Sequence, residues 1–190
     1  MFGKGMRTLL AVMICGLLSQ RTTAADYALD NSHASLIFGV SHLGFSYTYG
    51  RFNRISGGFS FDKNDPSASQ FVITIDASSI DTNDAKRDQH LSSPDFFDVR
   101  QFPAITFQST GVQQTEAGMQ MVGNLTMHGV SKQVEIPITH LGEGKGPYGK
   151  QRSGFNSQFS VKRSDFDMKG MSPMIGDEIS ITFSFEGIMN

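Results

Sequence analysis

Tryptophan is absent from the 190 residues, cysteine occurs once, at Cys15, and basic and acidic side chains nearly cancel at 16 against 18. A single cysteine excludes a disulfide scaffold. A balance tipped slightly toward acid argues against a basic nucleic-acid surface, so no nucleic-acid partner is expected. Long apolar runs are missing too. The most apolar stretch, Thr8 to Leu18, is eleven residues, whereas a membrane-crossing helix needs about 20. What the chain does have is sixteen Phe and ten Met, in a composition 38% hydrophobic and 18% charged. That is the make-up of a folded globular domain, not a disordered chain, and the length suits one domain.

The N-terminus reads as an address. Lys4 and Arg7 precede the apolar run, and Ser19-Gln-Arg-Thr-Thr-Ala-Ala25 follows with small residues. This basic, apolar, small-residue order is that of a secretory signal. Cleavage after Ala24 or Ala25 suits the small pairs Thr22/Ala24 and Thr23/Ala25. Bulky Ile14 before Cys15 argues against a lipoprotein site. The expected organisation is a signal peptide over 1–25 and one domain over 26–190. Its expected location is the periplasm, with secretion further out as an extension of the same route.

From residue 27 onward the pattern is alternation, which marks strands with one buried face. Leu36, Phe38, Val40 and His42 share a face. So do Phe71, Ile73 and Ile75; Met119, Met121, Gly123, Leu125 and Met127; and Val134, Ile136 and Ile138. Ile179, Ile181, Phe183 and Phe185 give the cleanest case. With segments 50–62, 104–113 and 152–162 the count is eight strands. Polar residues on the opposite faces argue for an antiparallel sheet wet on one side. One short helix is expected within Asp81–Leu91, capped by Asn83 or Asp84 and stopped by Pro94. The expected class is all-β, and eight antiparallel strands can bury one face either as two sheets face to face or as a closed barrel. Closure at about eight strands leaves an interior just wide enough for side chains or one small ligand.

Motifs for catalysis or metal binding fail on context. Gly144-Lys-Gly-Pro-Tyr-Gly149 has the glycine spacing of a dinucleotide fingerprint, but it sits between two strands with no helix after it. Asp81-Thr-Asn83 opens like a calcium loop, yet Lys86 stands where the glycine belongs and Ser92 where the glutamate does. The five histidines show no tight ligand spacing, and no serine elbow occurs. The charged cluster Asp84, Lys86, Arg87, Asp88 and His90 is either a solvated helix face with internal ion pairs or a polar cap over one barrel end. The predicted interior is richer in signal: Phe38, Phe59, Phe61, Phe71, Phe107, Phe159, Phe183 and Phe185 with Met119, Met121 and Met127. Such a set is an ordinary core or the adaptable lining of a cavity. Aromatic Phe45, Tyr47 and Tyr49, flanked by glycines, mark a plausible mouth.

A further set of stretches appears in consistent order: Asp30-Asn-Ser-His33, His42-Leu-Gly-Phe-Ser-Tyr-Thr-Tyr-Gly50, Gly58-Phe-Ser-Phe-Asp62, Arg87-Asp-Gln-His-Leu91, Gly123-Asn-Leu-Thr-Met-His-Gly-Val130 and Arg163-Ser-Asp-Phe166. Together they resemble the YceI-like family of secreted polyisoprenoid-binding proteins. The resemblance implies an all-β fold, an extended eight-stranded antiparallel barrel of lipocalin-like shape with one short capping helix, holding an isoprenoid or other lipid-like chain, with no further cofactor and no catalysis. The expected ligand-binding residues are Phe38, Phe45, Tyr47, Tyr49, Phe59, Phe61, Phe71, Ile73, Phe107, Met119, Met121, Phe159 and Phe183, with His42, Arg87 and His90 facing a polar head. Two other readings stand beside it. One is an enzyme on such a lipid, with His42 or His90 as acid-base and Asp88 as orienting group. The other is a packed barrel acting through its surface, as a stress or adhesion factor. A monomer is expected, or a homodimer through outward apolar residues such as Ile37.

Overall fold

The computed structural model describes residues 24–190. The expected leader therefore lies, up to residue 23, outside the described residues. The described residues form eleven strands: β1 (Ala25–Leu29), β2 (Ser35–His42), β3 (Ser46–Phe52), β4 (Ile55–Phe61), β5 (Gln70–Asp76), β6 (Ile80–Asp81), β7 (Ala104–Thr115), β8 (Gly118–Met127), β9 (Val130–Lys145), β10 (Gln151–Lys162) and β11 (Ile175–Met189). Among them one α-helix, α1 (Ala85–Leu91), follows β6. All pairings are antiparallel, and β1 pairs with both β4 and β11. The ring β1-β4-β5-β7-β8-β9-β10-β11 is thereby closed at eight strands, the barrel of the two arrangements that the strand count allowed.

Eleven segments make eight staves because three staves are broken. β1 and β2 both lie along β11, β3 and β4 continue one another, and so do β5 and β6. The breaks fall side by side, at a 3-10 turn over Asn31–His33, at Asn53-Arg54, and at a 3-10 turn over Ala77–Ser79. They are hydrogen-bonded to each other. Asn31 Oδ1 accepts from the Ile55 N–H at 2.6 Å, and Ser79 O accepts from the Asn53 N–H at 3.1 Å. Residues that prefer turns, Asp30, Asn31, Asn53 and Asp76, thus interrupt the ladder at one level, where the side chains of Asp30, Asn31 and Asp76 accept from the Ser32, Ile55 and Ser78 N–H groups. The expected single strand over 50–62 is in fact broken at 53–54, and β1 and β6 are additional to the expected eight.

Below the breaks the ring is fully paired. Above them β6 is only two residues long and pairs with β3 alone, so β5/β6 and β7 part company. α1 and the loop to β7 occupy the gap. Asp84 caps α1 by accepting from the Arg87 N–H, and the helix ends at Leu91 with Ser92 as C-cap. At the hollow end β9 and β10 part as well, their pairing running only from Gln151–Asn156 to Lys145–Thr139, whereas at the other end closure removes the sheet edges and the inward faces bury one another.

The inward faces match the expected alternation. Phe71, Phe155, Phe166 and Phe185 are essentially inaccessible to water. Packing is tight enough to require glycine where a ring meets backbone: a Cβ at Gly187 would stand 2.5 Å from the Phe59 ring. Gly57, at φ +130°, lets β4 approach Val72 so closely that a Cβ would lie 2.0 Å from its carbonyl oxygen.

Candidate functional site: an apolar cavity at one end of the barrel

The interior is hollow at one end and solid at the other. The solid end belongs to phenylalanine. Phe59, Phe61, Phe71, Phe155 and Phe185 contact one another with centroids 5.0–6.4 Å apart, in edge-on and offset-stacked pairs. Such geometries are favoured by the ring quadrupole. His140 leans on Phe61 and Phe155 at 4.7 and 5.0 Å, and its Nε2 lies 3.1 Å from the buried Ser153 hydroxyl. Burial holds the His140 pKa below the ordinary histidine value. Outside this plug, Lys63 pairs with Glu143.

The hollow end lies under α1. A cavity of about 140 Å³ is walled by Leu36, Phe38, Val40, Phe52, Leu125, Met127, Phe159, Val161, Ile179 and Ile181, all inward positions of strands. Leu91, Phe96 and Phe97, from the end of α1 and the loop after it, close it from above with Met168 and Ile175. A second space of about 50 Å³ follows toward the plug, sharing Leu36, Ile75, Leu125 and Phe159 with the first and reaching Met121 and Phe183. Two pockets in line, divided only by side chains, make a blind channel rather than a through tunnel.

Arg163, at the top, is the one charged residue of the cavity wall, and it is buried. Its guanidinium donates to four backbone carbonyls, those of Met168, Gly170, Ile175 and Gly176, at 2.7–3.1 Å. Arginine suits this task because its planar fork carries five donors. It fastens the segment 168–176 across the cavity and leaves the surface of the cavity itself apolar.

The expected site residues divide accordingly. Phe38 and Phe159 line the main cavity, while Ile73, Phe107, Met121, Phe159 and Phe183 line the inner one. Phe59, Phe61 and Phe71 are in the plug and line neither. Met119 is half-buried against the core near the same closed end. Phe45, Tyr47 and Tyr49 point outward and are mostly exposed, because Thr48, Gly50 and Phe52 take the inward face of β3. His42 ends β2 at the hollow end.

Two of the three expected polar head-group residues, Arg87 and His90, are occupied elsewhere. Arg87 donates from Nε to Thr82 Oγ1 and from a terminal nitrogen to Thr82 O, both at 2.7 Å. Asp88 accepts from Thr82 as well, and His90 lies 3.1 Å from Asp95 on the exposed side. The His90–Asp88 arrangement of the enzyme reading is therefore not assembled. Nor does the α1 cluster form internal ion pairs: among the described residues, Asp84, Lys86, Arg87 and Asp88 take part in no salt bridge with one another. Its polar groups instead bind the turn that leads into the helix. No group of three potential metal ligands occurs among the described residues.

Lining residues outside the expected ligand set are of two kinds. Val161, Ile179 and Ile181 lie on faces already recognised, two to four positions along from expected residues. Leu91, Phe96, Phe97 and Met168 come from a helix end and loops, where no periodicity announces which side faces in.

Residues 27–187 match the profile of the YceI-like domain. The chain belongs to the YceI-like family. A UPF0312 protein of Pseudomonas paraeruginosa is 40% identical over 186 residues, covering 96% of this chain and 97% of that one. The YceI protein of Campylobacter jejuni is 29% identical, with a TM-score of 0.70 over 79% of this chain and 90% of that one. A polyisoprenoid-binding domain from Saccharophagus degradans, implicated in plant cell wall breakdown, has a TM-score of 0.66 at 15% identity. It covers 88% of this chain and 99% of that domain. At that identity the likeness is one of fold, and the YceI-like barrel is the fold shared.

Proposed function

We propose that this YceI-like protein is an exported carrier that holds a polyisoprenoid or similar long-chain amphipathic lipid, without altering it. The observation that carries the reading is the apolar surface of the cavity beneath α1, whose one charged wall residue, Arg163, is turned to backbone carbonyls. A binding site for a polar metabolite would present converging hydrogen-bond groups, and here the polar side chains near the cavity are spent on the fold. The polyisoprenoid-binding name of the structurally similar domain supports the choice of ligand class.

Size sets the mode of binding. A dry cavity of about 150 Å³ takes a benzene-sized guest, so the main cavity as it stands takes roughly one isoprene unit. Each further buried CH₂ contributes about 0.8 kcal/mol, which favours opening the way into the inner space. The groups dividing the two spaces, Leu36, Ile75, Leu125 and Phe159, are single side chains, and flexible Met121 stands behind them. The chain end enters first, and the polar end stays toward the segment held by Arg163.

Native mass spectrometry of protein purified without denaturation from its own cells tests this. A retained apolar ligand is expected. An empty protein that also fails to take up an added prenyl alcohol would overturn the reading.

A further inference from the structure

Among the described residues, six of the ten large apolar side chains most exposed to water form one group at the hollow end, while Ile37, Val72, Leu141 and Tyr148 are scattered elsewhere. Phe45, Tyr47 and Tyr49 of the β2–β3 hairpin are 87%, 64% and 63% exposed, and Leu43, Met171 and Met174 are all more than 40% exposed. The two loops that carry them are tied together, since the Leu43 N–H donates to the Met174 carbonyl at 2.8 Å. Tyr47 and Tyr49 stack on each other with centroids 6.3 Å apart. Residues 37–50 and 171–176 contain no Asp, Glu, Lys or Arg.

Two of these residues are also placed at a conformational cost. Leu43 and Met171 adopt φ of +52° and +54°, in the left-handed region where Gly or Asn is the usual occupant. Every other non-glycine residue of positive φ among the described residues is Asn, Asp or His. The hairpin turn, with Leu43 and then Gly44 at positive φ, is of the type that favours Asn-Gly. A leucine there is worse for the turn and worse for water, so the fold does not account for it.

The collar is continuous with the cavity. Ile175 directly follows Met174 and lines the cavity, and Val40, on the strand that leads to Leu43, lines it too. We infer that this collar is a membrane-docking surface, which seats the hollow end of the barrel on the apolar region of an uncharged lipid bilayer. The inference rests on the carrier reading and deepens it. A long-chain lipid that leaves through this end passes from cavity wall to collar to bilayer without exposing its chain to water. Protruding aromatic and aliphatic side chains with no charged residue among them suit insertion at the interface rather than electrostatic adsorption.

Because the chain has no tryptophan, Phe45→Trp gives a single-tryptophan reporter at the tip of the collar. With phosphatidylcholine vesicles its emission shifts to the blue and is quenched by brominated acyl chains, to the same degree at low and high salt. In flotation, Leu43→Asn with Phe45→Ser lowers the vesicle-bound fraction at least tenfold. Its thermal midpoint is unchanged or raised, because asparagine suits the turn. Unshifted emission at vesicle excess overturns the inference. So does a shift that depends on protein concentration without lipid, which assigns the collar to a second copy. Docking with no lipid ever found in the cavity leaves the collar standing and removes the carrier reading instead.

Discussion

Phe155 stands edge-on to Phe59, ring centroids 5.1 Å apart and planes at 82°, and their contact marks where the barrel stops being hollow. Phe155 is fully buried and touches Phe61, Phe71, His140 and Phe185 as well. Truncating such a side chain removes buried area and leaves a void, at about 3–5 kcal/mol. Phe155→Ala is expected to lower the free energy of unfolding by that amount, read from urea denaturation curves. It also lengthens the blind channel toward the closed end, so longer prenyl chains gain affinity relative to short ones. A competition series of prenyl alcohols of increasing length, run on both proteins, checks the second effect independently of the first.

Arg163 governs the opposite end. Its four carbonyl acceptors belong to the segment that closes the cavity, and lysine, with three donors on one nitrogen, cannot serve all four in this geometry. Arg163→Lys is expected to cost about 2–3 kcal/mol, since buried acceptors left without partners cost about 1–3 kcal/mol each and some regain water. Release of the segment also speeds ligand exchange. Stopped-flow dissociation of a fluorescent fatty-acid probe is expected to quicken at least tenfold in the variant, measured at a denaturant-free temperature well below its midpoint.

Two groups give stability two separate pH limits. The Ser32 hydroxyl, His33 and Arg152 hold Asp30 well below the usual carboxylate range. A depressed carboxylate stabilises the fold above its unfolded pKa of about 4, and that contribution is lost as pH falls below it. Burial depresses His140, so the unfolded chain takes up a proton first, and stability declines as pH drops below about 6.5. Asp30→Asn is expected to flatten the acid limb below about pH 4, and His140→Gln the shallower slope that begins near neutrality. Urea midpoints against pH for the two variants and the parent separate the contributions.

The sequence disclosed the barrel because a closed antiparallel ring makes every stave alternate, and β11 shows this with Ile179, Ile181, Phe183 and Phe185 on one face. It disclosed the position of α1 because Asp84 is a capping residue. It did not disclose that Phe59, Phe61 and Phe71 close the channel while Phe38 and Phe159 line it. All five are phenylalanines on inward faces. What distinguishes them is height along the barrel, which depends on the stagger between strands and not on composition. Arg163 was equally hidden: four carbonyl partners from a loop leave no mark in a pattern of side chains. Tyr47 and Tyr49 went to the outer face for the opposite reason, since Gly50 and Phe52 fix the parity of β3.

Filling the main cavity is the most direct test of its role. Val161 and Ile181 are only half-buried because they face that space, so a larger side chain there has somewhere to go. Val161→Phe with Ile181→Phe is expected to leave the thermal midpoint within a few degrees of the parent or raise it, because added rings gain contacts instead of displacing packed neighbours. The same change is expected to weaken binding of a prenyl or fatty-acyl probe at least a hundredfold, which corresponds to about 2.7 kcal/mol. Retained affinity in a well-folded variant would place the ligand somewhere other than beneath α1. A destabilised variant with lost binding would instead mean that the space is smaller than it measures, and Val161→Leu alone, one methylene larger, then decides between the two.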